Sequence, residues 1–137
     1  SKLHFIKKRK SSHKISKNII YSFKYALRGI IYCFQFEKNF RIQIVFAIAA
    51  FFLAIIFNLR IYEYIIISST IFSVLILELI NTSIESIADL IVERKFSNLV
   101  KISKDCSAGA VFLASINSII VASYIFIPKI KLLIQNL

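Results

Sequence analysis

Three of the chain's seven acidic residues, Glu78, Glu85 and Asp89, fall within one short stretch, ELINTSIESIADL (78–90), with Asn81 among them. The stretch follows directly on YIIISSTIFSVLIL (64–77), which carries no charge. On an α-helix turning about 100° per residue, steps of three, seven and eleven from Glu78 put Asn81, Glu85 and Asp89 on one stripe about 80° wide. A carboxylate in hydrocarbon is costly unless paired, solvated or protonated, so acids at such depth mark functional sites. Asn81 alone would serve as interhelical glue. Three acids on one stripe repel each other unless cations answer them.

Two kinds of cation are available. Lys104 and Arg94 precede the third apolar segment, and Lys38 and Arg41 follow Glu37 ahead of the first. The other answer is a divalent ion: oxygen ligands from Glu37 and Glu85 suit magnesium, which takes one or two carboxylates together with substrate phosphates. Lys104 suits a phosphate as a mobile point charge. Carboxylates, a lysine and a basic loop at a membrane surface are the parts of phosphoryl transfer from a nucleotide. The sequence contains no glycine-rich phosphate loop of the Walker type, so any nucleotide site is of another design.

These groups need helices to hold them. The pattern predicts an all-α membrane protein with three spans, at about 40–59, 64–90 and 105–128. The charge-free run ending at Leu77 is too short to cross alone, so the second span must continue past Glu78 to about Ile84. The third ends at Pro128, with KIKLLIQNL as a short tail. Ahead of the spans, Ile19, Phe23, Leu27, Ile30 and Phe34 recur at helical spacing, which predicts an amphipathic surface helix over 18–37, with Lys24, Tyr25 and Arg28 elsewhere around it. Residues 1–17 read as a basic, mobile tail containing His4 and His13, and 18–137 as a single membrane-embedded domain. Residues 93–105, ERKFSNLVKISKD, read as a polar loop.

Composition agrees with this plan. Hydrophobic residues are 58% of the 137, well above a soluble domain's share, and two glycines and one proline favour long helices over a turn-rich sheet. The net charge is +11 and the basic residues crowd into the first third of the chain. Beside so much apolar sequence, that arm fits an anionic lipid surface and not nucleic acid. Three spans place the arm and the 93–105 loop on the same side, cytoplasmic by the positive-inside rule; the turn near Arg60 and the C-terminus then face outward. Cys33 and Cys106 lack metal-ligand spacing and imply no disulfide framework. No signal-peptide core is evident near the N-terminus.

ELINTSIESIADL also resembles the signature of the prokaryotic diacylglycerol kinase family, small integral-membrane lipid kinases of bacteria that include undecaprenol kinases. The signature is a Glu, two apolar residues, Asn-Ser/Thr, and a second Glu seven after the first. SKDCSAGAV (103–111) resembles the family's Lys-Asp and small-residue run, and EKNFRIQ (37–43) its acid, aromatic and arginine; the likeness covers about residues 18–128. The resemblance implies a homotrimer in the bacterial cytoplasmic (inner) membrane that moves the γ-phosphate of ATP, with Mg2+, to a lipid hydroxyl. It implies Glu78 as catalytic base and Glu37 and Glu85 as metal ligands. Tyr25, Lys104 and Asp105 become nucleotide contacts, Asn81 a polar partner near the base, and Asp89 and Arg41 supporting polar residues. Ser107 to Ala110 let the nucleotide or a neighbouring helix approach. Two departures stand out: Gln43 replaces the glutamate or histidine of many relatives, and the segment between Asp89 and Lys104 is one residue longer. Diacylglycerol is the preferred acceptor and undecaprenol the alternative. A non-enzymatic ion-conducting subunit, its path lined by the acid stripe, is the reading from a different class.

Overall fold

The computed structural model describes residues 19–93 and 97–137. The basic tail over 1–17 and Arg94, expected as a cation for the acid stripe, lie outside the described residues. Everything described is helix or short turn. The chain divides into two compact units, 1–36 and 37–137.

The first unit contributes one described helix, α1 (Ile19–Phe36), where the amphipathic helix is expected. Along it the Tyr32 and Phe36 rings stack one turn apart, centroids 4.8 Å apart. The Arg28 guanidinium lies 5.7 Å from the Tyr25 ring centroid.

The second unit holds three helices, each long and apolar enough to cross a membrane: α2 (Lys38–Ile56), α3 (Ile61–Val92) and α4 (Asn98–Gln135). The chain is thus a multi-pass membrane protein. At about 1.5 Å per residue, α2 matches a hydrocarbon core about 30 Å thick, whereas α3 and α4 outrun it. Their excess length carries polar residues that hydrocarbon would not tolerate.

Local chemistry sets the boundaries. Glu37, in extended conformation, is the N-cap of α2, yet its side chain makes no capping bond. Helix α2 closes in a Schellman motif: Asn58 takes a left-handed φ of 49°, Leu59 N–H donates to the Ala54 carbonyl and Asn58 N–H to that of Ile55. Asn tolerates that conformation better than other residues with a side chain. Helix α3 begins three residues before the expected Tyr64. A capping box explains it: the Glu63 carboxylate accepts from Arg60 N–H at 2.8 Å.

The expected 93–105 loop is much shorter. Ser97 caps α4, its Oγ accepting from Leu99 N–H at 3.2 Å, so Asn98 to Asp105 form the opening turns of the helix. At the other end α4 does not stop at Pro128 but runs through it to Gln135. Proline removes one backbone donor there. The residue after it, Lys129, is anchored by Glu63 of α3 at 3.3 Å, which carries the helix past the defect.

Helix α3 packs against α4 along much of its length and more briefly against α2. Near the Asn58 turn, Ala54, Leu59, Ile67 and Phe126 form the buried apolar cluster. Several hydroxyls within the spans are satisfied locally. Ser69, Ser73, Ser115 and Ser123 donate to the carbonyl four residues back, and Thr70 to that three back, at 2.7–2.9 Å. A lipid environment requires such internal pairing.

Candidate functional site

The polar stripe of α3 is real and graded. Glu78 is 2% exposed and Asn81 and Thr82 are buried; Glu85 is partly buried and Asp89 open. Measured along the helix from Ile61, Glu78 lies about 26 Å in, near the far boundary of a 30 Å hydrocarbon core, with Glu85 and Asp89 beyond it. The stripe therefore begins where hydrocarbon gives way to headgroups and emerges into water.

Helix α2 supplies the facing groups at the same depth. Gln43 Nε2 donates to Glu78 Oε2 at 3.0 Å. Glu37, at the head of α2, and Glu85, two turns along α3, both lie within electrostatic reach of the Glu78 carboxylate. Arg41 sits one turn into α2, its N–H donating to the Glu37 carbonyl at 3.3 Å.

Helix α4 closes the outer end. Lys104 Nζ pairs with Asp89 Oδ1 at 2.8 Å, and Glu85 and the neighbouring Asp105 add to the negative field around it. The pair is solvent-exposed, so its contribution to stability is small. Deeper in, Ser107 Oγ donates to Asn81 Oδ1 at 2.6 Å, with the Lys104 carbonyl as the alternative acceptor at 3.1 Å. That buried bond fixes the α3–α4 register and with it the height of Lys104 beside Asp89.

The structure thus gathers Glu37, Arg41, Glu78, Asn81, Glu85, Asp89, Lys104 and Asp105 at one end of the three-helix unit. Tyr25 belongs to α1, the other unit, where its described partner is Arg28. The sequence reading missed two members. Ser107 passed as one of a run of small residues; its place one turn after Lys104 is the signal that could have singled it out. Gln43 passed as a departure from pattern, yet it is the direct partner of Glu78. Two buried polar atoms in this region, Gln43 Oε1 and Thr82 Oγ1, have no hydrogen-bond partner among the described residues.

An apolar groove of about 420 Å³ opens between the three helices beside Gln43 and extends along the span past Ala47, Ala50, Val74, Ser115 and Ala122. Among the described residues no three His, Cys, Asp or Glu side chains form a ready metal cage.

Three membrane-length helices carry a buried carboxylate whose stripe runs out to exposed Asp89 and whose partner Gln43 lines an apolar groove, which defines a multi-pass membrane protein with a polar site at one end of its spans. The family profile of prokaryotic diacylglycerol kinase matches residues 24–126. The chain is 38% identical over 122 residues to a diacylglycerol kinase of Synechocystis sp., covering 89% of this chain and 70% of that protein. It is also 38% identical over 109 residues to an undecaprenol kinase of Bacillus subtilis, covering 80% of this chain and 88% of that one. The chain belongs to the prokaryotic diacylglycerol kinase family, and so to the membrane lipid kinases.

Proposed function

We propose that the protein transfers the γ-phosphate of ATP to the hydroxyl of a membrane lipid, with diacylglycerol as acceptor and phosphatidic acid as product. The observation that carries this reading is Glu78: an acid 2% exposed, at the hydrocarbon boundary, beside an apolar groove and within reach of two further carboxylates. In this reading Glu78 accepts the proton as the lipid oxygen attacks the γ-phosphorus, and the bond to the β-phosphate oxygen breaks with its electron pair leaving on ADP. The groove takes an acyl chain and holds the hydroxyl at the depth of Glu78, which supplies the positioning that phosphoryl transfer depends on.

The donor set suits magnesium. Glu37 has no capping duty and Glu85 makes no hydrogen bond among those described, and two carboxylates plus phosphate oxygens satisfy an ion that resists full dehydration. Glu37 and Glu85 would hold the Mg2+, which would supply neutralising charge to the nucleotide's phosphates. Lys104, now held by exposed Asp89, can exchange that partner for a phosphate as a point charge, with Asp105 beside it. Asn81 and Ser107 keep α3 and α4 in the register this needs. Tyr25 serves as a nucleotide contact and Arg41 as a supporting charge.

The heads of α2 and α4 lie at the end of the three-helix unit that holds the site, and we read that end as cytoplasmic by the positive-inside rule, where ATP is. We read the protein accordingly as a homotrimer of the bacterial inner membrane whose basic arm engages anionic lipid. Undecaprenol is the second reading for the acceptor, favoured by the match to an undecaprenol kinase over 88% of its length. Purified protein in mixed micelles with labelled ATP, Mg2+ and each lipid in turn decides between them. Labelled phosphatidic acid is expected; labelled undecaprenyl phosphate alone would reassign the acceptor, and neither product would end the kinase reading.

A further inference from the structure

Gln43 holds two positions at once. Its Nε2–H group is committed to Glu78 Oε2 at 3.0 Å. Its Oε1 is buried with no donor among the described residues, while the residue lines the apolar groove, the one amide among the groove's described lining residues. Native proteins rarely leave a buried acceptor unpaired, and each such atom calls for an explanation. Ser115, which also lines the groove, is already satisfied, its hydroxyl donating to the Val111 carbonyl at 2.9 Å. A molecule that enters the groove can supply the missing donor.

A lipid alcohol brings only one donor to that end of the groove, its hydroxyl. We infer that Gln43 is a positioning residue that brings acceptor and base together: Nε2–H holds the Glu78 carboxylate in one orientation, and Oε1 receives the hydrogen bond of the incoming lipid hydroxyl. The two acceptors for that hydroxyl, Gln43 Oε1 and Glu78 Oε2, are then linked through a single amide. A rotation of the hydroxyl passes its hydrogen from the docking acceptor to the base without moving the chain in the groove. The inference rests on the kinase reading and on Glu78 as its base.

Gln43→Met tests it, because methionine keeps the length and loses both polar atoms; Gln43→Leu is the second variant. Wild type, both variants and Glu78→Gln are assayed in mixed micelles, with lipid and MgATP varied separately and thermal midpoints recorded. The expected result for Gln43→Met is kcat lower by about 10- to 100-fold, the range for a lost hydrogen bond to a charged group, and a raised KM for lipid. Its KM for MgATP stays near wild type while its thermal midpoint falls, since Glu78 loses its one described donor, and Gln43→Leu behaves alike. Full activity in both variants, or equal rises in the lipid and ATP constants, would overturn the role of Gln43 while leaving the kinase reading intact. A fallen thermal midpoint with the lipid KM unchanged in both variants would also overturn it, in favour of a purely structural role. A wild-type protein that phosphorylates no lipid, or a fully active Glu78→Gln, would remove the reading beneath it.

Discussion

Glu78→Gln separates chemistry from architecture at the most buried acid in the protein. Glutamine keeps the shape of the side chain and removes only the ability to ionise. In the folded chain Glu78 is 2% exposed and receives a single described hydrogen bond, from Gln43. Ionised, it is poorly compensated, since Glu37 and Glu85 bring further negative charge. A buried, weakly paired charge detracts from stability, so neutralising it leaves the fold as stable or more so, by up to a few kcal/mol. Loss of a positioned base lowers turnover by about 10² to 10⁴. The combined expectation is a kcat reduced at least about 100-fold, an unchanged KM for MgATP and a thermal midpoint equal to or above wild type. The assay is initial-rate lipid phosphorylation in mixed micelles, with the melt followed by circular dichroism on the same preparation. A variant that keeps more than about a tenth of the activity would refute Glu78 as the base, since it falls short of that range. A loss of activity matched by a fall in the thermal midpoint would show that the residue supports the fold instead.

Glu85→Gln should raise the KM for MgATP by about tenfold or more, as loss of one carboxylate ligand requires, with the lipid KM little changed; separate titrations of the two substrates check it. Ser107→Ala leaves the buried Asn81 Oδ1 without its 2.6 Å donor and should cost about 1–3 kcal/mol in detergent unfolding, with a smaller rise in the KM for MgATP as Lys104 loses its register. Lys129→Ala opens the Glu63 pair beside Pro128 and should lower stability by about 1 kcal/mol while leaving kcat unaltered, because the pair lies at the opposite end of α3 from Glu78.

The stripe was legible because helical periodicity is a strong constraint and carboxylates are rare in apolar sequence. Glu78, Asn81, Glu85 and Asp89 share their face as the turn angle requires, and their exposure rises along it. Three spans were legible from apolar length alone. Helix ends were less so, since they depend on single hydrogen bonds. Arg60 with Glu63 starts α3 early and Ser97 draws Asn98–Asp105 into α4. Lys129 pairing with Glu63 lets the chain ignore Pro128. Contacts across helices were the least legible. Nothing in the spacing of Gln43 or Ser107 announces that one meets Glu78, 35 residues away, and the other Asn81, 26 residues away. Such pairings depend on how α2 and α4 dock on α3, which periodicity within one helix does not encode. The resemblance to the lipid kinases marked position 43 as different from relatives, but only the packed helices show what the difference touches.

The most direct test of the central claim is stoichiometric. Purified protein in bilayers containing diacylglycerol is given Mg2+ and a limiting amount of labelled ATP, and ADP and lipid phosphate are counted from the same samples. One lipid phosphate for each ADP, abolished in Glu78→Gln, is the predicted result. ADP released without lipid phosphate would contradict it, as would a Glu78→Gln protein that keeps the wild-type ratio and rate.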